Sequence, residues 1–291
     1  MTDAINFDRI GITNDVMFGS VFRDEEACRE LLQRILHLEI AELTLVEEQK
    51  TLNITLTGKG SRLDIYARDV SGNSYDIEMQ LTNSRELDLR SRYYHSEMDG
   101  YQIRKGKKYR ALKQSIVIFI CGFDLFGENR SFYTFETICR ENSSLILQDK
   151  RKTVFVNIHG DREGLDEATV NLLDYFRTQE PIDAYTQGLQ ERVDRIRRDT
   201  EWRENYMTIE MKMDLRFEEG LAEGEKIGRL EGEKNGRLEG EKIGRIEGEK
   251  IGRLGILSTM LASGMEKETI LKAGFTEEEI ESLKKGRDNS L

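Results

Sequence analysis

The sequence predicts an α/β domain followed by an all-helical C-terminal region. Up to about residue 160, apolar residues at helical spacing alternate along the chain with short β-branched runs, an order typical of an α/β fold. Beyond residue 185 the chain is charged and rich in residues that favour helices. The only proline, Pro181, separates these two parts. We therefore expect an α/β domain over residues 1–180, a helical connector over 181–219, a glycine repeat over 220–254 and a small helical tail over 255–291.

The α/β part reads in order as a helix, three strands, a helix and further strands. Thr13 or Asn14 can cap the first helix, and its apolar residues recur every three or four positions. Residues 69–74 carry the glycine and polar side chains of a hairpin turn between two alternating strands. The later run Ser-Ile-Val-Ile-Phe-Ile-Cys suits a strand covered on both faces. The expected helices span residues 14–38, 87–111 and 185–217, and the expected strands span 43–57, 62–68, 75–81, 115–121, 131–139 and 153–158.

A glycine repeat marks the C-terminal region. Glycine occupies every fourth position over residues 220–252, nine times, within variants of Gly-Glu-Lys-Ile-Gly-Arg-Leu-Glu. Each glycine costs a helix roughly 1 kcal/mol, although four Glu residues precede an Arg by four positions, which favours a helix. Two interpretations stay open: a segment that becomes helical when copies of the chain associate, and a flexible linker. In the tail, Gly264 and Gly274 are expected helix stops, and Thr276 with Glu279 forms a capping-box pattern.

Composition narrows the chemistry. No segment is apolar enough to span a bilayer, and the N-terminal residues lack the pattern of a signal peptide, so we expect a cytoplasmic protein without a membrane partner. The three cysteines are widely spaced and form no CxxC pair, and the three histidines are scattered. Disulfide bonds and a zinc site are therefore not expected. Any bound metal must be held by carboxylates, which favours a hard cation such as Mg²⁺.

The charge of the chain is unevenly distributed. The net charge of −11 by itself argues against a nucleic-acid partner. Residues 81–114, however, contain nine Lys and Arg against four Asp and Glu, a local excess of five positive charges. A solvated helix face explains such a run, and so does a patch that contacts a phosphate backbone.

Acidic residues alternate with apolar residues on the two strands of the expected hairpin. Glu78 and Gln80 share one face of the second strand because side chains alternate along a strand, and Asp76 begins the same face. Asp64 on the partner strand can lie beside Glu78. Two carboxylates that converge at a strand pair form a reasonable Mg²⁺ site, completed by waters and phosphate oxygens. On spacing alone, the solvent-facing side of an ordinary hairpin explains the same pattern.

Five segments follow one another along the chain: Asn-Asp-Val-Met-Phe-Gly-Ser-Val-Phe at residues 14–22, Arg-Leu-Asp-Ile at 62–65, Asp-Ile-Glu-Met-Gln at 76–80, Arg-Ser-Arg-Tyr-Tyr at 90–94 and Ile-Val-Ile-Phe-Ile at 116–120. In this order they resemble the Rpn family of recombination-promoting nucleases and transposase-like proteins, within the PD-(D/E)xK nuclease superfamily. The resemblance covers about residues 10–160 and implies a PD-(D/E)xK nuclease-like core of a helix, a three-stranded meander, a helix and a strand.

This resemblance implies a metal-dependent endonuclease that hydrolyses phosphodiester bonds in double-stranded DNA and is linked to recombination or mobile elements. Asp64, Glu78 and Gln80 are the implied catalytic residues, with Asp64 and Glu78 as ligands of Mg²⁺, or of Mn²⁺ in its place. Gln80 stands where lysine is usual. An amide orients water but cannot take its proton, so the base must be metal-bound hydroxide, bulk solvent or a second metal. Asp76 and Asp15 are secondary candidates.

Several residues that follow the hairpin are expected to contact DNA. Arg90 and Tyr94 lie four apart, so they share a helix face and could reach the phosphate. The backbone-contacting patch would add Arg104, Lys105, Lys107 and Lys108. We also expect a homo-oligomer formed through the C-terminal helical and repeat region. Two alternatives remain: a non-catalytic DNA-binding or self-associating protein on the same fold, and a nuclease that acts on RNA.

Overall fold

The chain folds as two units, Met1–Ile209 and Glu210–Leu291. A computed structural model describes residues 5–52, 61–103, 106 and 108–288, with side chains for all of these except 45, 48–52, 61–63, 213 and 284–288. The helices are α1 Asp15–Phe22, α2 Glu25–Leu36, α3 Leu87–Gln102, α4 Glu167–Thr178, α5 Ala184–Arg198, α6 Thr200–Ala262, α7 Lys267–Lys272 and α8 Glu277–Asp288, with short 3₁₀ turns at Phe7–Arg9 and Tyr109–Ala111. The strands are β1 Leu43–Leu52, β2 Ser61–Asp69, β3 Ser74–Gln80, β4 Ser115–Cys121, β5 Phe132–Phe135, β6 Ile138–Cys139, β7 Asn142–Ile146 and β8 Arg151–Asn157.

A six-stranded mixed sheet forms the centre of the first unit, in the order β1-β2-β3-β4-β8-β5, and β6 pairs with β7 separately. Strands β1, β2 and β3 form an antiparallel meander. Helix α3 then crosses over, so that β4 pairs parallel to β3 and β8 pairs parallel to β4. Strand β4 is buried at all seven positions, as its apolar sequence predicts. The predicted α/β class with a helical C-terminal region is confirmed.

The first predicted helix is divided in two. Asn14 caps α1, since its Oδ1 accepts a hydrogen bond from the backbone N–H of Met17 at 3.1 Å. After α1 ends, the carboxylate of Asp24 accepts from the backbone N–H of Ala27 at 3.0 Å and caps a second helix. The prediction of one helix over residues 14–38 was therefore wrong at Asp24.

Other predicted boundaries also differ from the structure. Helix α3 ends at Gln102, not at residue 111. The expected helix over residues 185–217 is interrupted at Asp199, whose Oδ1 accepts from the N–H of Trp202 at 2.9 Å at the start of α6. The expected strand over 131–139 is divided into β5 and β6. Strand β7 was not predicted, because all five of its residues are exposed and show no burial alternation.

Apolar residues cover both faces of the sheet. The larger core combines strand residues with residues of α1, α2, α4 and α5, among them Ile65, Ile77, Ile118, Phe18, Leu31, Leu172 and Val193. The core on the opposite face contains the strand residues Tyr66, Val117, Phe119 and Phe155. Three residues of α3 pack against them, Leu87, Tyr94 and Met98. Since side chains alternate along a strand, successive residues of one strand enter opposite cores.

Helix α5 and the beginning of α6 pack against the sheet domain. Leu189, Val193 and Tyr206 are buried in the larger core, and Asn14 Nδ2 donates to the hydroxyl of Tyr206 at 3.1 Å. The boundary between the two units accordingly falls after Ile209. The expected four-part division, with its first boundary at residue 180, stays a prediction.

The glycine repeat is helical, since α6 runs from Thr200 to Ala262. Within this described helix none of the four Glu-before-Arg pairs closes as an ion pair; Arg237 instead contacts Glu241 at 3.7 Å. An exposed pair at this spacing contributes only about 0.3–0.5 kcal/mol, so leaving it open costs little. Nowhere in the described chain is a helix both long enough and apolar enough to cross a membrane.

The helical tail has the predicted caps. The N–H of Thr276 donates to Glu279 Oε2 at 2.7 Å and the N–H of Glu279 donates to Thr276 Oγ1 at 3.3 Å, which confirms the capping box. Gly264 and Gly274 have φ angles of 74° and 91°, the left-handed conformation of a helix stop. A small core closes this part of the second unit, formed by Leu257, Ile270, Phe275 and Ile280.

His95 joins α3 to the sheet behind it. Its Nδ1 lies 2.8 Å from Ser115 Oγ and its Nε2 lies 3.0 Å from Thr153 Oγ1, and the ring is buried. Burial, together with the positive charge of Arg151, lowers the pKa of His95 to about 4, against the opposing charge of Asp149.

We expect the buried His95 to weaken the fold in acid. Because its folded-state pKa lies below the unfolded value of about 6.5, the unfolded chain takes up a proton that the folded protein does not, and stability is lost as pH falls from about 6.5 towards 4. Near pH 5.5 the loss relative to near pH 7.5 is about 1 kcal/mol. Urea unfolding of wild type and His95→Asn at both pH values measures this component, which the variant should lack. His159→Asn, at an exposed histidine, should keep it; equal pH dependence in wild type and His95→Asn would contradict the prediction.

Candidate active site

Pairing between β2 and β3 stops where the candidate residues begin. The antiparallel register ends at Ile65 opposite Ile77. Beyond this point the acidic side chains bridge the two strands. The backbone N–H of Asp64 donates to Glu78 Oε1 at 3.2 Å, and the backbone N–H of Met79 donates to Asp64 Oδ2 at 3.2 Å. The two carboxylates therefore take the place of the next ladder bonds and lie side by side, as the spacing predicts.

Asp76 and Glu78 lie on the face that α3 covers. Parallel pairing with β4 places Asp76 beside Val117 and Glu78 beside Phe119. Both acidic residues are 0% exposed. The interpretation of this face as the solvent-facing side of an ordinary hairpin is therefore wrong, because α3 packs over it. Carboxylates buried in this way have to be paired or neutralised.

Arg90 of α3 supplies part of that pairing. Its Nη2 donates to Glu78 Oε2 at 2.6 Å and its Nη1 donates to Gln80 Oε1 at 3.1 Å. Gln80 Nε2 in turn donates to Glu78 Oε2 at 3.2 Å. The Nε and Nη2 of Arg90 also donate to the hydroxyl of Tyr94 at 2.9 and 2.6 Å. The structure thus joins four of the predicted residues in one hydrogen-bonded network.

Burial and like charge raise the pKa of both buried carboxyls. For Glu78, burial is the largest cause and the charge of Asp64 adds to it, and although Arg90 opposes them the pKa rises to about 8. For Asp76, burial followed by the charges of Glu78 and Asp64 raises the pKa well above its usual range. Carboxylates placed this close together favour the uptake of a proton or a cation. Perturbed carboxyls in one cluster are typical of functional sites.

Asp76 provides the test of whether a metal ion fits. Both of its carboxylate oxygens are buried, and neither accepts a hydrogen bond from any described residue. A buried carboxylate without a partner calls for a neutralising group, which a divalent cation beside Asp64 and Glu78 would supply. Across the described ranges, no group of three or more Asp, Glu, His or Cys side chains is placed to hold a metal ion. The donors present are an open set of carboxylates, which suits Mg²⁺ because that ion needs few protein ligands.

Tyr94 contributes its ring to the core under α3, and Asp15 stands in the first turn of α1. Tyr94 is buried, with its ring 6.2 Å from that of Phe119, so its ring belongs to the core and its hydroxyl serves Arg90. Asp15 is exposed at the start of α1, where its Oδ1 accepts from the N–H of Val16 at 2.8 Å. No hydrogen bond or ion pair among the described residues links Asp15 to the acidic cluster.

The predicted DNA-contacting patch is partly described. Lys108 is exposed just before the 3₁₀ turn, and Arg110 and Lys113 near it are exposed as well. The remaining members, Arg104, Lys105 and Lys107, lie outside the described residues. The role of the patch stays a prediction.

Two features of the site were missed by sequence reasoning. Asp76 was ranked below the other acids as a strand-start residue, although it shares their side of β3 and is as buried as Glu78. The ion pair between Arg90 and Glu78 was not foreseen, because the two residues belong to different elements and no local spacing relates them. The alternation of β3 could have raised the rank of Asp76; only the packing of α3 reveals the ion pair.

Comparison with protein families gives a match over most of the first unit. The model of the PD-(D/E)XK nuclease family transposase matches residues 13–181, which is more than half of the chain and contains Asp64, Asp76, Glu78, Gln80 and Arg90. No characterised protein and no solved structure matches the chain significantly.

Proposed function

Because the chain belongs to the PD-(D/E)XK nuclease family transposases, we propose that it is a metal-dependent endonuclease that hydrolyses phosphodiester bonds in double-stranded DNA. The observation that carries this proposal is the acidic cluster beside Arg90, in which Asp76 and Glu78 are buried and Asp64 is partly exposed. Buried charges that are incompletely paired destabilise a fold, so a domain shaped for stability alone has little use for them. An active site that binds a cation and a phosphate does.

Each residue of the network has a proposed role. Asp64 and Glu78 hold Mg²⁺, or Mn²⁺ in its place, with Asp76 as the neighbouring acid. When bound, the cation stabilises charge on the scissile phosphate and lowers the pKa of the attacking water. Gln80 orients that water, since an amide offers both a donor and an acceptor but takes no proton. The side chain of Arg90 is 30% exposed, so it has access to a phosphate at the surface.

The proposed setting is recombination or the movement of mobile elements in the cytoplasm. The basic patch, of which Lys108, Arg110 and Lys113 are exposed, is proposed to contact the DNA backbone. Its positive charge would compensate locally for the net charge of −11.

A plasmid-nicking assay tests the proposed function. Supercoiled plasmid is incubated with the wild-type protein in Mg²⁺, Mn²⁺ or EDTA, and nicking is expected with either metal and not in EDTA. Asp64→Ala should abolish nicking, whereas Asp88→Ala, at an exposed acid in the first turn of α3, should retain it. Nicking that survives in Asp64→Ala would overturn the site. No nicking under any metal by a folded protein would favour the non-catalytic alternative, and cleavage of an RNA duplex in place of plasmid would favour RNA.

We also propose that the chain forms a homo-oligomer through α6. Apart from the chain neighbours and the nearby backbone of the same helix, no described atom comes within 4 Å of the Cβ position at any of the nine repeat glycines. Repeat residues such as Leu230 and Ile246 are exposed, and a helix of this composition is short of the tertiary packing that normally stabilises helices. Residues 224–254 carry seven acids and eight bases, so a second copy of the same helix offers complementary charge.

Alanine in place of Gly228, Gly236, Gly244 and Gly252 should stabilise α6 and weaken self-association. Each substitution favours the helix by about 1 kcal/mol, but the added methyl groups keep a partner helix at a greater distance. Circular dichroism and sedimentation velocity of the full chain across concentration measure the two effects. Gly255→Ala, outside the four-residue register, should raise helicity without changing association. A wild-type protein that stays monomeric at every concentration would end the proposal.

A further inference from the structure

Glu78 is already engaged by protein groups on both of its carboxylate oxygens. Oε2 accepts from Arg90 Nη2 at 2.6 Å and from Gln80 Nε2 at 3.2 Å, and Oε1 accepts from the backbone N–H of Asp64 at 3.2 Å. The oxygen that faces α3 therefore has a full positive charge as its nearest partner. A divalent cation that uses this oxygen has to share it with a guanidinium, and like charges at such short range repel strongly in a buried site.

We propose that Arg90 is an internal counter-cation that competes with the divalent cation for Glu78, and that the guanidinium, once displaced, becomes the partner of the DNA phosphate. This inference rests on the proposed function and adds a residue-level control to it. Arg90 pairs with Glu78 when no metal is bound, and the metal pairs with it afterwards, so the buried carboxylate always has a positively charged partner. Displacement also frees Gln80 Oε1, which Arg90 Nη1 occupies at 3.1 Å, to accept from a water.

Tyr94 provides the anchor that keeps the displaced guanidinium nearby. Its hydroxyl accepts from both Nε and Nη2 of Arg90, and its ring centroid lies 5.3 Å from the guanidinium carbon. The ring of Phe119 lies 5.8 Å from the same carbon. The bond from Nε to Tyr94 does not involve Glu78, so the guanidinium can turn away from Glu78 and Gln80 and keep a contact with the Tyr94 hydroxyl. The exposed fraction of Arg90 gives it access to a phosphate without unfolding α3.

A permanent structural ion pair is the competing explanation for the same contacts. In that case Arg90 would help to hold Glu78 in the geometry that a metal needs, and removing the guanidinium would weaken metal binding. A counter-cation has the opposite effect, because its removal leaves Glu78 free for the metal. The two explanations therefore predict opposite signs for one measurement.

Isothermal titration of Mn²⁺ into the full chain, without nucleic acid, supplies that measurement. Arg90→Gln should lower the apparent Kd for Mn²⁺ by about tenfold or more, the size of effect that a like charge within about 4–6 Å has on a titrating group. Arg90→Lys retains the charge and should stay within about threefold of wild type. Arg92→Gln is the matched control, since it removes the same charge from an exposed position on the same helix and should change the Kd less than about threefold. Tyr94→Phe loosens Arg90 with little change of shape and should also tighten Mn²⁺ binding, by a smaller factor.

The outcomes separate this inference from the proposed function. Asp64→Asn should abolish Mn²⁺ binding, which locates the measured site. If Asp64→Asn abolishes the Mn²⁺ binding seen with wild type, but Arg90→Gln leaves that binding unchanged or weakens it, the counter-cation role of Arg90 is overturned and the proposed function is not. No Mn²⁺ binding by any folded variant would overturn the proposed function and this inference with it. If Arg90→Gln does not fold, Tyr94→Phe tests the inference in its place, and a lower Kd for Mn²⁺ than in wild type is again the expected result. At saturating Mn²⁺, Arg90→Gln should nick plasmid more slowly than wild type; undiminished nicking would remove the phosphate role.

Discussion

Asp76→Asn should raise the free energy of unfolding by about 1–4 kcal/mol in EDTA near pH 8, while lowering DNA nicking by about a hundredfold or more. Asp76 is fully buried and its carboxylate oxygens have no hydrogen-bond partner among the described residues. Burial and the charges of Glu78 and Asp64 raise its pKa well above the usual range. The neutral amide has the same shape and can donate to the neighbouring carboxylates, so it removes an unfavourable charge from the interior.

This gain should depend on pH and on metal. A carboxyl whose folded-state pKa is raised makes folding less favourable as pH rises above its unfolded value of about 3.9, and Asp76→Asn abolishes that dependence. The stability difference between the variant and wild type should therefore be larger near pH 8 than near pH 5. Added Mg²⁺ should reduce this stability difference, because Mg²⁺ binding stabilises the wild type more than the variant. Urea unfolding and plasmid nicking of the same preparations measure both effects.

Asp69→Asn is the matched control for Asp76→Asn. Asp69 is also buried, but its carboxylate accepts from the N–H and Nδ2 of Asn73, both at 2.9 Å, and from the hydroxyl of Tyr75 at 2.8 Å. Replacing this well-paired carboxylate should lower the free energy of unfolding by about 1–3 kcal/mol. If Asp76→Asn is also less stable than wild type in EDTA at both pH values, Asp76 does not carry an unfavourable buried charge.

Phe119→Ala should lower the free energy of unfolding by about 3–5 kcal/mol. Phe119 is fully buried at the centre of β4, and its ring centroid lies 5.2 Å from that of Phe155 and 6.2 Å from that of Tyr94. Truncation leaves a cavity under the guanidinium of Arg90, 5.8 Å away, so nicking should fall together with stability. Urea unfolding of the purified variant gives the first quantity and the plasmid assay the second.

Phe135→Ala is the comparison for this substitution. Phe135 also contacts Phe155, with ring centroids 5.8 Å apart, but it is 48% exposed. Because solvent already reaches this ring, its removal leaves no closed cavity, and the expected loss is below about 1 kcal/mol. Similar losses for the two variants would show that the face under α3 is not a close-packed core.

The regular elements were predictable where burial repeats with the period of the structure. Strand β4 was predicted with its observed bounds because six of its seven residues are apolar, and β2 and β3 were placed within one or two residues by alternation. The breaks at Asp24 and Asp199 were missed although both capping residues are in the sequence. Neither glycine nor proline stands at either break, so only the observed cap bonds show that a new helix begins there.

Strand alternation predicted which of the candidate residues share a face, but not what surrounds them. Strand alternation placed Glu78 and Gln80 on one face and allowed Asp64 to lie beside them, and the hydrogen bonds that join Asp64 to Glu78 and to Met79 agree. The same alternation is equally consistent with a solvent-facing hairpin, because a period of two says which residues share a face and not what covers it. The covering helix α3 turns that face into an interior, and burial then raises the pKa of the carboxyls.

The sequence by itself determined the α/β class, the helical C-terminal region, the bounds of β4 and the placing of two acids and an amide on one strand pair. These follow from local periodicity and from short segments with a recognisable order, both of which are properties of neighbouring residues. Only the tertiary structure decided that Asp76 is buried without a partner and that Arg90 binds Glu78. Charge pairing and desolvation depend on which distant elements pack together, so no local pattern along the chain specifies them.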